Sequence, residues 1–336
     1  MASEETSRKP RVAICGGGIG GLCLAVMLSN LSHLDVRLYE SAGQFKEIGA
    51  GVMIWSRTWR ILEDMGLASE FAKIAHAPPT GEMGVGFDYR RSDQPEEGFR
   101  FKLVEMPYGV HFLDVFVNAL PPGIANFGKR LVSYNHQVIR LSSPLQPISL
   151  QFADGSISEC DLLIGAEGIK SGVRAQMYRE AAMARGDLGL LDHISPVWTG
   201  TIAYRGLYCG KSKHVVSYSI SQGDIVNIVT FTSRPERHGE PYSGDWVVNC
   251  DKQELLDSYA GLELGIPSFD LSLSESQLRV HLNQDAFILA RLLSKAMRPT
   301  RDSLSALLKA YEAVRLPAAN AVLRGSYESG RMYEFT

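Results

Sequence analysis

Cysteine is scarce in this sequence, and its spacing argues against two common uses of the residue. Five cysteines occur in 336 residues, and no two of them form a C-x-x-C pair. An odd number at wide spacing disfavours both a disulfide framework and a zinc site. The eight histidines form no H-x-x-x-H pair either. We therefore expect no metal site, and we expect a reducing, cytoplasmic compartment.

An excess of charge of one sign is also missing. The chain has 34 Lys and Arg against 37 Asp and Glu, which gives a formal net charge of −3. A nucleic-acid surface would show as a clustered basic excess, so we expect a small-molecule partner and no nucleic acid. With 45% hydrophobic residues the chain can bury two cores, since single cores stop growing at about 250–300 residues.

Only one uncharged run is long enough to suggest a membrane span. Residues 12–31 carry no charged side chain, and a run of about 20 apolar residues can cross a bilayer. Five glycines between Gly16 and Gly21 would interrupt a membrane helix there. We expect no stable membrane span.

The same glycines fit a nucleotide-binding pattern. Gly16–Gly21 reads G-x-G-x-x-G, follows a predicted strand at Arg11–Cys15 and opens a predicted helix at Gly20–Leu31. A second predicted strand, Asp35–Tyr39, ends at the acidic residue Glu40. Strand, glycines, helix, strand and acid in this order favour a dinucleotide site over a simple glycine turn.

Each part of this pattern has an expected role. Gly16 permits the tight turn, Gly18 lets the backbone approach a pyrophosphate, and Gly21 lets helix and strand pack closely. The helix N-terminus attracts the phosphates. Glu40, placed 19 residues after Gly21, should accept hydrogen bonds from ribose hydroxyls, and it disfavours NADP as the dinucleotide held here.

A second motif lies farther along the chain. Asp161–Arg174 reads D-L-L-I-G-A-E-G-I-K-S-G-V-R, which predicts a buried strand, a glycine turn and a helix. With the first motif, it resembles the FAD-dependent aromatic-ring monooxygenases, single-component enzymes of the salicylate hydroxylase and para-hydroxybenzoate hydroxylase type. That family has G-A-D-G here, followed by serine and arginine. The resemblance implies that Glu167, Gly168 and Arg174 serve FAD and a transient NADH or NADPH.

Two further segments extend the resemblance. Residues 47–52, E-I-G-A-G-V, resemble the family segment beside the flavin, which implies cofactor contacts for Ala50, Gly51 and Val52. Arg205 matches an arginine that fungal members carry on the sheet of the substrate domain. Its guanidinium could hold a substrate carboxylate, and Tyr218 on a neighbouring strand could bind a phenol. Taken alone, Arg205 is equally compatible with a surface salt bridge, and Tyr218 with a packed core residue.

The resemblance implies an α/β fold with a Rossmann-like FAD-binding domain and an inserted, smaller antiparallel β-sheet domain for the substrate. We expect the FAD-binding domain at 10–80, 100–195 and 280–333, the substrate-binding domain at 81–99 and 196–279, and a flexible tail at 1–9.

Two family features are missing from the sequence. The family places a Gly-Asp pair, whose aspartate binds the ribityl chain, just before the helix matched at Asp285–Ala290, but residues 262–284 hold no such pair. An arginine that precedes the helix matched at Phe112–Leu120 is absent as well. We expect a shortened member of fungal type.

Three hypotheses follow. The first is an FAD-dependent monooxygenase that uses NAD(P)H and O2 to hydroxylate an aromatic acid or phenol-like compound. The second is a catalytically impaired, FAD-deficient relative. The third is an NAD-dependent dehydrogenase, for which no convincing Tyr-x-x-x-Lys or histidine–acid pair is found. The oligomeric state stays open.

Overall fold

The fold is known from a computed structural model, which describes most of the chain in separate stretches. The described residues are 8–45, 56–74, 84–90, 100–106, 113–135, 147–196, 201–210, 212–220, 225–240, 253, 257, 282–295 and 301–333.

The structure gives the bounds of twelve strands and seven α-helices in these stretches. The strands are β1 (Arg11–Cys15), β2 (Asp35–Tyr39), β3 (Gly84–Arg90), β4 (Arg100–Met106), β5 (Ala125–Asn126), β6 (Leu131–Asn135), β7 (Ile148–Phe152), β8 (Ile157–Cys160), β9 (Leu162–Gly165), β10 (Thr201–Gly210), β11 (Lys213–Ile220) and β12 (Ile225–Ser233). The helices are α1 (Ile19–Ser29), α2 (Ser56–Asp64), α3 (Ala68–Ile74), α4 (Leu113–Ala119), α5 (Gly172–Arg185), α6 (Leu282–Leu293) and α7 (Arg301–Tyr333).

A parallel sheet with the order β5-β2-β1-β9 carries the candidate site. Strand β1 lies in its interior, and Val12, Ala13, Ile14 and Cys15 are each at most 3% exposed. An apolar run of this kind is typical of a parallel strand that is covered on both faces. The sequence predicted that the chain begins with a strand, a helix and a second strand, and this order is confirmed by β1, α1 and the parallel strand β2.

Helix α1 packs against β2, α4 and α6. Leu22, Cys23, Ala25 and Leu28 are fully buried, and they lie on different sides of the helix. A helix that is apolar all round belongs inside a protein. Residues 12–31 are therefore a strand, a turn and a buried helix, and none of the described helices is long and apolar enough to cross a membrane.

A three-stranded antiparallel sheet, β6-β7-β8, shares a core cluster of buried side chains with the parallel one. An Asp-Gly pair between two alternating runs predicts a hairpin at residues 148–160. The hairpin is confirmed: Asp154-Gly155 lies between β7 and β8, and Gly155 has φ +81°, which glycine adopts without strain. The amide side chain of Gln176 on α5 hydrogen bonds to both the N–H and the carbonyl of Tyr134 on β6. It thereby attaches α5 to this sheet.

Asp161 fastens the amino-terminal ends of β1 and β9. Its carboxylate accepts hydrogen bonds from the N–H of Arg11 at 2.8 Å and from the guanidinium of Arg8 at 2.6 and 2.9 Å. Burial alone would raise the pKa of Asp161, but the hydrogen bonds from Arg8 and Arg11 outweigh burial and lower it below the usual 3.8.

The strand-rich part of the chain also folds as predicted. β10, β11 and β12 are antiparallel, and each pairs with the other two. β3 and β4 form a separate antiparallel pair. β4 therefore belongs with β3. The sequence analysis placed β3 in the substrate-binding domain and residues 100–106 in the FAD-binding domain.

The last helix is longer than its periodicity predicted. Leu304, Leu307, Leu308 and Tyr311 share one helical stripe, which predicts a helix over residues 304–314. The helix α7 instead runs from Arg301 to Tyr333 and includes Pro317. Proline removes one N–H and usually ends or kinks a helix. Here alanine-rich sequence on the far side, A-A-N-A-V-L, has high helix propensity and continues the helix.

The chain forms two compact units. The first contains residues 1–47, 112–196 and 278–318, and the second contains 48–111, 197–277 and 319–336. The second unit therefore takes in residues 48–80, which the sequence analysis assigned to the FAD-binding domain. The functional assignment of the two domains stays a prediction.

Candidate dinucleotide-binding site

The two glycine motifs, far apart in sequence, meet at one edge of the parallel sheet. β1 ends at Cys15 and β9 ends at Gly165, and these two residues are paired. The N–H of Ala166 donates to the carbonyl of Cys15 at 2.7 Å. From β1 the sheet continues to β2 on one side and to β9 on the other, and parallel sheets bind ligands at such a switch point.

The three motif glycines serve two different purposes. A Cβ on Gly16 would lie 2.4 Å from the carbonyl oxygen of Ala166, and a Cβ on Gly21 would lie 1.9 Å from the carbonyl oxygen of Gly16. Gly16 also has φ +109°. A Cβ on Gly18 would meet nothing within 4 Å. Gly16 and Gly21 thus make room for the protein itself, whereas Gly18 leaves open space beside the backbone.

The amino terminus of α1 lies next to this open space. Gly18 is the N-cap residue, and no side chain caps the helix. The first N–H groups of a helix have no partner within it, and they favour an anion. An uncapped helix end beside an open glycine fits the pyrophosphate of FAD.

Glu40 follows β2 at the same sheet edge. One carboxylate oxygen accepts a hydrogen bond from the N–H of Gly17 at 2.6 Å, and the other accepts from the N–H of Ala42 at 2.7 Å and from Ser41 Oγ at 3.1 Å. A carboxylate has about four acceptor positions, so about one remains for a ribose hydroxyl. The backbone N–H groups of Gly17 and Ala42 hold the side chain in place, and its contact with a ribose stays a prediction.

Two aromatic side chains at this site were not singled out from the sequence. Phe45 Cε1 lies 2.7 Å from the position of a Cβ on Gly17, and the rings of Phe45 and Phe127 meet edge to face with centroids 4.8 Å apart. The two residues come from separate loops. In the sequence, only the position of Phe45, five residues after Glu40, indicated that an aromatic ring could lie near this site.

The second motif is used largely to begin α5. The carboxylate of Glu167 accepts hydrogen bonds from Ser171 Oγ at 2.6 Å and from the N–H groups of Gly172 and Val173 at 3.2 Å. Ser171 Oγ in turn accepts from the N–H of Arg174 at 3.0 Å, as an N-cap side chain does. Glutamate at this position therefore has a structural use, and its predicted contact with a cofactor stays a prediction.

Arg174 and Gly168 lie close to that helix start. The Arg174 guanidinium donates to the carbonyls of Ile169 and Ile194, and its buried Nε has no hydrogen-bond partner. Gly168 has φ +75°, and a Cβ there would meet nothing within 4 Å. Their predicted roles toward FAD and the nicotinamide cofactor remain proposals.

The backbone register groups the two candidate substrate residues. Arg205 on β10 pairs with Val229 on β12, and Tyr218 on β11 pairs with Asn227 on β12. Residues 227 and 229 are two apart on one strand, so they share a face of the sheet, and paired residues share it too. Arg205 and Tyr218 are therefore on the same face.

Some predictions concern residues beyond the described parts of the chain. Ala50, Gly51 and Val52 lie there, and so do residues 262–281, most of the segment that lacks the Gly-Asp pair. Within the described stretches, no group of three or more His, Cys, Asp or Glu could hold a metal ion.

Comparison with known proteins gives the site a family. The chain matches the FAD binding domain family over residues 9–242. It is 33% identical to a salicylate hydroxylase from Pseudomonas putida, and the match covers 99% of this chain and 88% of that protein. It is 35% identical to a 6-methylsalicylate 1-monooxygenase from Aspergillus terreus, over 70% of this chain and 57% of that protein.

A solved structure has the same fold. A salicylate hydroxylase substrate complex superposes with a TM-score of 0.75 and 24% identity, covering 98% of this chain and 90% of that one. The match to the Pseudomonas putida protein spans 399 positions, so at least 63 of them, the excess over 336 residues, are gaps in this chain.

These matches decide among the hypotheses for the family. They do not favour an NAD-dependent dehydrogenase, and FAD is the cofactor that they support. The extent of the domain match and the near-complete coverage of the bacterial relative lead to one conclusion. The chain belongs to the family of FAD-dependent aromatic-ring monooxygenases.

Proposed function

We propose that this protein hydroxylates an aromatic acid of the salicylate class, with NAD(P)H as reductant and O2 as co-substrate. The observation that carries the proposal is the 33% identity to a salicylate hydroxylase over 99% of the chain. When bound, FAD supplies the redox chemistry, because it takes a hydride from NAD(P)H and activates oxygen.

In this proposal the first unit holds the ADP half of FAD. The open backbone at Gly18 and the start of α1 bind the pyrophosphate, and Glu40 binds the ribose. Ala50, Gly51 and Val52 contact the flavin, which their match to the family segment supports. These residues bind and orient the cofactor, and they take no part in bond breaking.

The strand-rich sheet supplies the substrate contacts. Arg205 holds the substrate carboxylate in a bidentate pair, and Tyr218 hydrogen bonds to the phenol oxygen. Their shared face, given by the β10–β12 and β11–β12 registers, supports this assignment. We also propose a cytoplasmic location, with which the buried thiols of Cys15 and Cys160, neither in a disulfide, are compatible.

The test is turnover by the FAD-loaded protein. Oxidation of NADH and of NADPH, uptake of O2 and formation of hydroxylated product are measured with salicylate and 6-methylsalicylate, and benzoate serves as a control without the phenol. The proposal predicts product in proportion to NAD(P)H consumed. Consumption that yields hydrogen peroxide and no product would instead support the catalytically impaired alternative.

A further inference from the structure

We propose that Phe45 and Phe127 form an aromatic wall against which the adenine of FAD stacks. The inference rests on the proposed function, since it takes FAD to be the dinucleotide bound at the glycine motif. It adds a source of affinity for the adenosine half that neither motif contains.

The aromatic wall lies beside the residue that would bind the ribose. The Glu40 carboxylate and the Phe45 ring both reach Gly17: a Cβ there would lie 2.8 Å from Glu40 Oε2 and 2.7 Å from Phe45 Cε1. Acid and ring are therefore immediate neighbours. A ribose held by Glu40 through its 2′-hydroxyl carries its base on the adjoining carbon, which brings the base within reach of this ring.

Backbone hydrogen bonds hold Phe127 in the same place. The N–H of Gly128 donates to the carbonyl of Ala42 at 2.9 Å, and the N–H of Lys129 donates to the carbonyl of Glu40 at 2.8 Å. These two bonds join the loop after β5 to the loop after β2. These bonds and the ring contact with Phe45 hold Phe127 beside the loop that follows Glu40.

The exposure and geometry of the rings suit a planar ligand. Phe127 is 38% exposed, so an apolar ring remains partly uncovered next to the site. The two ring planes meet at 74°, and in such an arrangement the ring that presents its edge keeps both faces clear of its partner. A nucleic base has a π-face that stacks on aromatic side chains.

The test compares ligands that share or lack the adenosine half. FAD, ADP and FMN are titrated against the wild-type chain, Phe127→Ala and Phe127→Tyr. Loss of one stacking contact should raise the dissociation constants for FAD and ADP about tenfold in Phe127→Ala. The constant for FMN, which lacks adenine, should not change. Phe127→Tyr keeps the ring and should bind all three ligands like wild type.

Ile157→Ala is the matched control, because Ile157 is a 69% exposed apolar residue on β8 of the same unit. It should leave all constants unchanged. Unchanged FAD and ADP binding in Phe127→Ala, an equal loss for all three ligands, or a wild-type chain that binds neither FAD nor ADP would each overturn the aromatic wall. If wild type binds ADP but not FAD, and Phe127→Ala weakens ADP, the wall stands while the proposed function fails.

Discussion

At the residue scale, one glycine of the first motif is needed for folding and another is proposed for binding. Gly21 has a neighbouring carbonyl oxygen where its Cβ would be, whereas Gly18 has open space. Gly21→Ala should therefore destabilise the fold by about 1–3 kcal/mol, the usual cost of overpacking. Gly18→Ala should cost less than about 1 kcal/mol, because a Cβ at this N-cap position meets no neighbouring atom.

Gly21→Ala should cost more stability, but Gly18→Ala should weaken FAD binding by the folded protein more. A methyl group on Gly18 would occupy the space proposed for the pyrophosphate, and it should weaken FAD binding on the order of tenfold, or about 1.4 kcal/mol. Thermal unfolding and FAD titration together measure both effects. If Gly18→Ala binds FAD like wild type, the pyrophosphate does not bind beside Gly18.

Arg205 gives a second prediction at this scale. Arg205→Gln should raise KM for salicylate about tenfold or more, since a bidentate charge-assisted pair is lost. Arg205→Lys should recover part of the loss, because it keeps the charge but not the planar fork. Steady-state kinetics measure both variants, and the dissociation constant for FAD is the control. An unchanged KM in Arg205→Gln would assign this arginine to a surface salt bridge.

The sequence predicted the places of those residues that depend on local backbone shape. Gly16 in the turn after β1, Gly21 in the first turn of α1 and Glu40 at the end of β2 could be located from short spacing. The contact between Phe45 and Phe127 was not found, since it joins two loops that meet only in the folded sheet. The role of Glu167 at the start of α5 was not predicted, because the resemblance of its motif implied a ligand contact instead.

At the element scale, the parallel sheet is held at one end by a buried carboxylate. The Asp161 side chain is 3% exposed, and it joins β1 to β9 through Arg8 and Arg11. Asp161→Asn should destabilise the protein by about 1.5–3 kcal/mol at pH 7, the range for hydrogen bonds to a charged group. Chemical unfolding measures the difference.

The pH dependence of that difference has a definite sign. The pKa of Asp161 is lower in the folded chain than the usual 3.8, so its stabilisation is fully present above that value and is lost as pH falls through the folded pKa. The gap between wild type and Asp161→Asn should therefore close in acid. Asp35→Asn is the control, since Asp35 is 43% exposed and pairs with Arg37 only at 4.0 Å. A gap that stays constant below pH 3.8 contradicts this assignment.

Elements were predictable where one periodicity dominates. The alternation around Asp154-Gly155 gave the β7–β8 hairpin, and the apolar run gave β1. The end of α7 was missed because Pro317 is a strong local stop signal, which the helix overrides. The pairing of β3 with β4, across the predicted domain boundary between residues 99 and 100, cannot be read from composition.

At the scale of the whole molecule, buried thiols report on the packing of the first unit. Burial raises the pKa of Cys15, Cys23 and Cys160 to about 12, and the charge of Glu167 contributes at Cys15. Because the thiolate is the reactive form, these three residues should resist alkylation in the native protein at neutral pH. Peptide mapping by mass spectrometry checks this, and unfolding in denaturant should make them react. Rapid labelling of Cys23 in native protein would contradict the fold around α1.

The family and its fold account for most of the chain. Because the chain has gaps in its alignment with the Pseudomonas putida protein, FAD binding is the property to measure. The site proposed for the ADP half lies in the described residues, whereas residues 262–284 lack the Gly-Asp pair that the family uses for the ribityl chain.

FAD titration of the purified chain, followed by visible absorption, is the most direct measurement. The account predicts stoichiometric uptake and the absorption bands of a protein-bound flavin. A colourless protein that takes up no FAD at saturating concentrations would contradict it.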